Sequence, residues 1–141
     1  MRSFAGCSGF CASVSSIVFA ALVLFAVACG GSSALTAKSL QQQRDAITSA
    51  AAEGALLAEQ VADDETTEPF ARIHSGELAD QAKAAAQTLT KARAPAALEA
   101  KRREAAADAR STFVALEELH RAPDDQAVAR RVEAELEQLA K

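Results

Sequence analysis

The sequence predicts an all-α protein, an antiparallel up-down helical bundle of three long helices and a shorter C-terminal one. Three observations carry this. From Ser39 onward, apolar residues recur at i, i+3, i+4 and i+7, and no useful stretch alternates with period two. Residues 29–141 contain 30 Ala, the best helix former and one with no side-chain entropy to lose. Pro69, Pro95 and Pro123 divide this region by short connections into three pieces of about 26 residues, roughly 39 Å each, and a shorter fourth.

The first helix is expected from Ser39 to Asp64, opened by an S-x-x-Q capping box of Ser39 and Gln42. Leu40, Ile47, Ala51, Gly54, Ala58 and Val61 form its inner face, and the run "DDETTEP" ends it. Thr67 or Glu68 caps the second, Glu68 to Arg93, whose inner face is read as Phe70, Ile73, Leu78, Ala82, Ala85 and Leu89. The third runs from Ala96 to Arg121 on Leu98, Ala105, Ala109, Phe113 and Leu116. The fourth, Asp124 to Ala140, uses Val128, Val132, Leu136 and Leu139, with Asp124 and Asp125 facing the positive end of its dipole. Gly54 and Gly76 interrupt helices at similar heights, as a close crossing of the first two helices or incidental surface glycine would place them.

Leu, Ile, Val and Phe number only 19 from Cys29 onward, so the core is thin and Ala must supply much of the packing. The net charge of −4 and a pI near 5.2 argue against a nucleic-acid binder, which concentrates basic charge on one face. Trp and Tyr are absent, which removes the usual stacking platforms for single strands. The basic clusters "KRRE" (Lys101 to Glu104) and "ARR" (Ala129 to Arg131) are interleaved with acids and read as solvated faces; contact with anionic lipid or cell-wall polymer is the other reading.

Residues 1–28 have the layout of an export signal. Arg2 is followed by no charge until Lys38, and Val14 to Ala28 gives fifteen mostly apolar residues, short for a spanning helix. "AVAC", Ala26 to Cys29, resembles the lipobox of bacterial lipoproteins, with Ala26 where that family usually has Leu. The resemblance covers about the first 35 residues and implies that Cys29 is acylated and becomes the mature N-terminus. It also implies that residues 29–38, with "GGSSALTA", form a flexible tether ahead of the bundle at 39–141. Gly30 stands where an Asp would retain such a protein at an inner membrane, which implies the outer membrane in a two-membrane envelope. Two other readings stay open: ordinary cleavage after the A-x-A site at Ala26–Ala28, and an uncleaved short anchor. Cys7 and Cys11 fall within the signal, so the mature chain has one cysteine and no disulfide.

The body carries no G-x-S-x-G, phosphate-binding glycine loop or H-E-x-x-H, and Ser75 beside His74 points about 100° away on a helix. The remaining candidates are His74 with Glu77, and Glu117 with His120 in an E-x-x-H; inward motifs of that kind hold metals in helical bundles. That class needs two such motifs and two further glutamates, and counting from a turn near Ala94 sets the histidines about 9 Å apart along the axis. No cofactor is therefore expected. The sequence favours a non-enzymatic, membrane-tethered envelope lipoprotein whose bundle serves a structural or interaction role, with an envelope protein or its own copy as partner. The alternatives are a metal-, haem- or small-ligand-binding bundle, and a tether that folds on its partner.

Overall fold

The computed structural model describes residues 34–141; the signal, the lipobox and Cys29 lie outside the described residues. The chain forms four helices there, α1 (Ala37–Ala62), α2 (Glu68–Lys91), α3 (Ala96–Arg121) and α4 (Gln126–Leu139), and no strand. Consecutive helices run antiparallel around a ring, with the most extensive contacts between α2 and α3 and between α1 and α4. α1 also touches α3 across the centre, whereas α2 and α4 do not meet. The expected fold class is therefore observed.

Helix boundaries follow local chemistry, with some corrections. α1 starts before Ser39. Thr36 is its N-cap, in extended geometry, and its side chain accepts from the Ser39 N–H at 3.1 Å while the Thr36 N–H donates to the Ser39 hydroxyl at 3.0 Å. Ser39 is thus the N3 partner of a capping box rather than its first member. The folded region also reaches further back than residue 39. Leu35 is only 8% exposed, and its N–H donates to the Arg93 carbonyl at 2.9 Å. Part of the expected tether is therefore a packed segment of the bundle.

α1 ends in a Schellman arrangement: the Glu65 N–H donates to the Gln60 carbonyl, the Asp64 N–H to that of Val61, and Asp64 has φ 60°. α2 stops at Lys91, and the extended residues Ala92 and Pro95 carry the chain past its end before α3 begins. Asp125 caps α4, accepting from the N–H groups of Ala127 and Val128.

Two clusters form the core. Leu57, Val61, Leu78, Leu116, Leu119, Val132 and Leu136 fill the section where all four helices are present. Towards the other end α4 is absent, and Leu35, Leu40, Ile47 and Leu89 close on Ala86, Ala105, Ala106 and Ala109. The expected inner faces of α1 and α4 hold, with Val128 and Leu139 at the margin of α4. α2 is different. Its buried stripe is Ala71, Ser75, Leu78, Ala79, Ala82, Ala86 and Leu89, and Phe70 and Ile73 are 52% and 64% exposed. Small residues against α3 allow close backbone approach, which turns the bulky pair outward.

The two glycines do not face each other. A Cβ on Gly54 would lie 2.6 Å from Leu116 Cδ2 and 2.9 Å from Leu136 Cδ1, so this glycine lets α1 sit close to α3 and α4. A Cβ on Gly76 would lie 3.0 Å from the Nδ1 of His120 on α3.

Candidate functional site

The four candidate residues are parcelled out among separate local contacts. His74 on α2 points to α1, where its Nε2 donates to Glu53 Oε1 at 2.8 Å; the Phe70 ring stacks on it with centroids 5.4 Å apart. Glu77 is 3.7 Å from His74 Nδ1, too far for a hydrogen bond. Glu117 pairs with Arg121 at 2.7 Å. His120 turns to the α2 backbone, and its Nδ1 donates to the Arg72 carbonyl at 2.8 Å. That same carbonyl lies 3.2 Å from the Ser75 hydroxyl, which bonds chiefly to Ala71 at 2.6 Å.

The axial offset expected between the histidines is corrected by this geometry. His120 reaches the carbonyl two residues from His74, because the extended connection starts α3 beyond the end of α2. What separates the two histidines is their direction: His74 bonds to α1, and His120 to the α2 backbone. Among the described residues, no group of three or more His, Cys, Asp or Glu is arranged to hold a metal ion.

Around His74 lies a surface of mixed apolar and polar character. Leu56 is 54% exposed and, with Phe70, Glu53, Leu57, Gln60 and His74, lines a shallow groove between α1 and α2. Ile73 stands beside Phe70 and His74 on the exposed side of α2. Two large exposed apolar side chains, Leu56 and Phe70, line one groove, with Ile73 exposed next to Phe70 on α2, and such clustering differs from the singly scattered apolar residues of an ordinary surface. The sequence signal is present but ambiguous. Phe70 and Ile73 have inward-type spacing, and only the competing stripe of small residues at 71, 75, 79, 82 and 86 marks them as outward. Leu56 lies off the α1 stripe of Gly54, Ala58 and Val61.

Comparison with protein-family models, curated proteins and solved structures finds no match. The function of this surface therefore rests on its own chemistry.

"KRRE" contains a second residue that is not a simple solvated charge. Arg102 is 13% exposed at its side chain and binds Glu99 through Nη2 at 2.6 Å, while Nη1 donates to the Leu89 carbonyl at 2.6 Å. It ties the first turns of α3 to a free carbonyl at the end of α2. The hydrogen bond from Arg102, aided by the charges of Arg102 and Arg103, holds the Glu99 carboxyl below its ordinary range against partial burial. The same hydrogen bond raises the Arg102 guanidinium. Lys101 and Arg103 on the same turns are exposed.

No described helix is long and apolar enough to cross a membrane. Any attachment to a bilayer must come through residues before Ala34 or through the surface of the bundle.

Proposed function

We propose that this chain is a non-enzymatic lipoprotein of a bacterial cell envelope. Residues 1–28 export it, an acylated Cys29 holds it to a bilayer, and the helical bundle is its interaction module. The lipobox-like "AVAC" supports the anchor, and two or three acyl chains at about 0.8 kcal/mol per buried CH₂ hold a domain of this size firmly. The observation that carries the interaction role is the pair of exposed residues Leu56 and Phe70 lining the α1–α2 groove, with Ile73 exposed beside Phe70 on α2. This groove is near the α1–α2 connection, whereas Leu35 marks the opposite end, where the N-terminal segment enters the bundle. A tethered domain would therefore present the groove away from its anchor, to an envelope protein or a second copy. The local pairing of His74 and His120 supports a structural use of both.

The test has two parts. The mass of the chain extracted from membranes is expected to equal residues 29–141 plus acyl chains, and Cys29→Ser to abolish the acylation. An unacylated wild-type mass overturns the anchor. A photo-crosslinker at position 73 is expected to give one discrete adduct in membranes, lost in Phe70→Glu, while the same probe at exposed Lys83 gives none. Equal labelling at both positions overturns the groove as the interaction surface.

A further inference from the structure

The bundle is electrically polar along its axis. At the end marked by Leu35, the start of α1, the α2–α3 connection and the first turns of α3 come together. Counting Leu35–Asp45, Lys91–Arg93 and Glu99–Glu104, seven of the ten charges there are basic. The three acids are largely spoken for: Glu99 binds Arg102, Glu104 faces Arg44 at 3.7 Å, and Asp45 accepts from Gln41. Among the described residues Lys38, Lys91, Arg93 and Lys101 have no carboxylate within ion-pair distance, and all four are exposed. The other end is the reverse. Its two connections carry Asp63, Asp64, Glu65, Asp124 and Asp125 with no basic residue, and the nearby Arg131 is paired with Glu118. A net-acidic chain thus sets four exposed, unpaired cations at one end and only acids in the connections of the other.

That end is also the one to which the anchor leads. Leu35 is pinned to Arg93 by a backbone hydrogen bond, and Cys29 lies five residues before Ala34. Five residues reach at most about 18 Å when fully extended. The ionic atmosphere screens over about 8 Å at physiological salt, so a tether this short keeps the basic end within a few screening lengths of the surface. It acts as a high effective concentration, and modest attraction is enough to seat the bundle.

We propose that this basic end docks on the anionic lipid surface to which Cys29 is anchored, through Lys38, Lys91, Arg93, Lys101 and Arg103. The docking relies on the lipid-anchored reading for its geometry and adds the lipid class and the orientation of the bundle. Each cation near an anionic surface contributes on the order of fivefold to the docked-to-undocked ratio. The seated bundle stands with its acidic end and the Leu56–Phe70 groove turned away from the bilayer.

The full chain, purified from membranes, is reconstituted into phosphatidylcholine vesicles with and without 30% phosphatidylglycerol and followed by hydrogen exchange. The expected result is slower exchange in peptides covering residues 91–104 on the anionic vesicles only. It is expected to be reversed in 0.5 M salt and in a Lys91→Gln, Arg93→Gln, Lys101→Gln variant. Arg121→Gln with Arg130→Gln, at the other end, is expected to leave it unchanged and serves as the folded control. Equal exchange on both vesicle types overturns the docking even when mass spectrometry shows acylation and the chain floats with neutral vesicles. Protection by soluble polyphosphate with none on anionic vesicles overturns it in favour of a soluble anionic polymer. An unacylated chain that still shows anion-dependent protection at 91–104 overturns the anchor and leaves the surface assignment standing; one that shows none overturns both.

Discussion

Replacing Gly54 by Ala sets two effects of known sign against each other. In an exposed helix the change stabilises by about 1 kcal/mol. Here the added Cβ meets Leu116 Cδ2 at 2.6 Å and Leu136 Cδ1 at 2.9 Å, where carbons prefer about 3.5–4.0 Å. Both leucines are fully buried, so each methyl must retreat by up to about 1 Å into a filled core. Overpacking of this kind costs about 1–3 kcal/mol. With two buried neighbours displaced at once, the net expectation is a loss of about 1–2 kcal/mol, or roughly 5–10 °C in Tm. Urea and thermal unfolding followed by circular dichroism measure it. Leu116→Ala alone should lose about 3–4 kcal/mol through its cavity. In the double variant the methyl introduced at position 54 enters that space, so its loss should be no greater than that of Leu116→Ala alone. A Gly54→Ala chain more stable by about 1 kcal/mol, or strict additivity in the double variant, would refute the close packing of α1 on α3 and α4.

Gly76→Ala should be nearly neutral. Its Cβ displaces only the half-exposed His120 ring, and the loss of the His120–Arg72 bond, about 1 kcal/mol, offsets the gain in helix propensity; amide exchange at the end of α3 should rise while Tm holds. Asp64→Gly should stabilise by about 0.5–1 kcal/mol, since the residue sits at φ 60° in the position where glycine normally closes a helix, and a lower denaturation midpoint would contradict this. Glu99 has a folded-state pKa below its ordinary value of 4.5, so it stabilises the fold above that value and the effect fades as pH falls through the lowered one. Unfolding midpoints of wild type and Glu99→Gln should therefore differ at pH 7, and the gap should shrink progressively as pH falls below 4.5; a gap that stays constant through acid would show that the Arg102 pairing is not its source.

The fold is legible in the sequence because helix periodicity, proline punctuation and Ala content all point the same way. Boundaries shift where two short polar residues compete. Thr36 and Ser39 are both good caps, and the one that wins is placed by Leu35, whose burial depends on a contact with Arg93 more than fifty residues away. The α2 face departs from its expected one for a related reason. A wheel weighted by hydrophobicity favours Phe70 and Ile73, but the partner surface on α3 selects size, and only small residues permit its approach. Arg102 is hidden in a run of basic residues, since its burial comes from the end of another helix. The groove around Leu56 is legible only in part, because being off the stripe becomes meaningful once the stripe is known.

The thin core and the exposed groove have one origin. A chain with so few large apolar residues can reach close packing by bringing helix backbones together through Ala and Gly. α2 does this with Ala71, Ala79, Ala82 and Ala86, and α1 does so at Gly54. Close approach leaves no interior space for Phe70 and Ile73, so bulk is moved to the margin and the α1–α2 contact stays shallow there. Burying that pair instead would require α2 to rotate, exposing Leu78 and Leu89 and separating it from α3. Either arrangement leaves apolar surface uncovered. The one adopted keeps Leu78 and Leu89 inside and leaves Phe70, with Leu56 of α1, beside a histidine and a carboxylate at the groove, a surface with both apolar area and polar groups to orient whatever covers it.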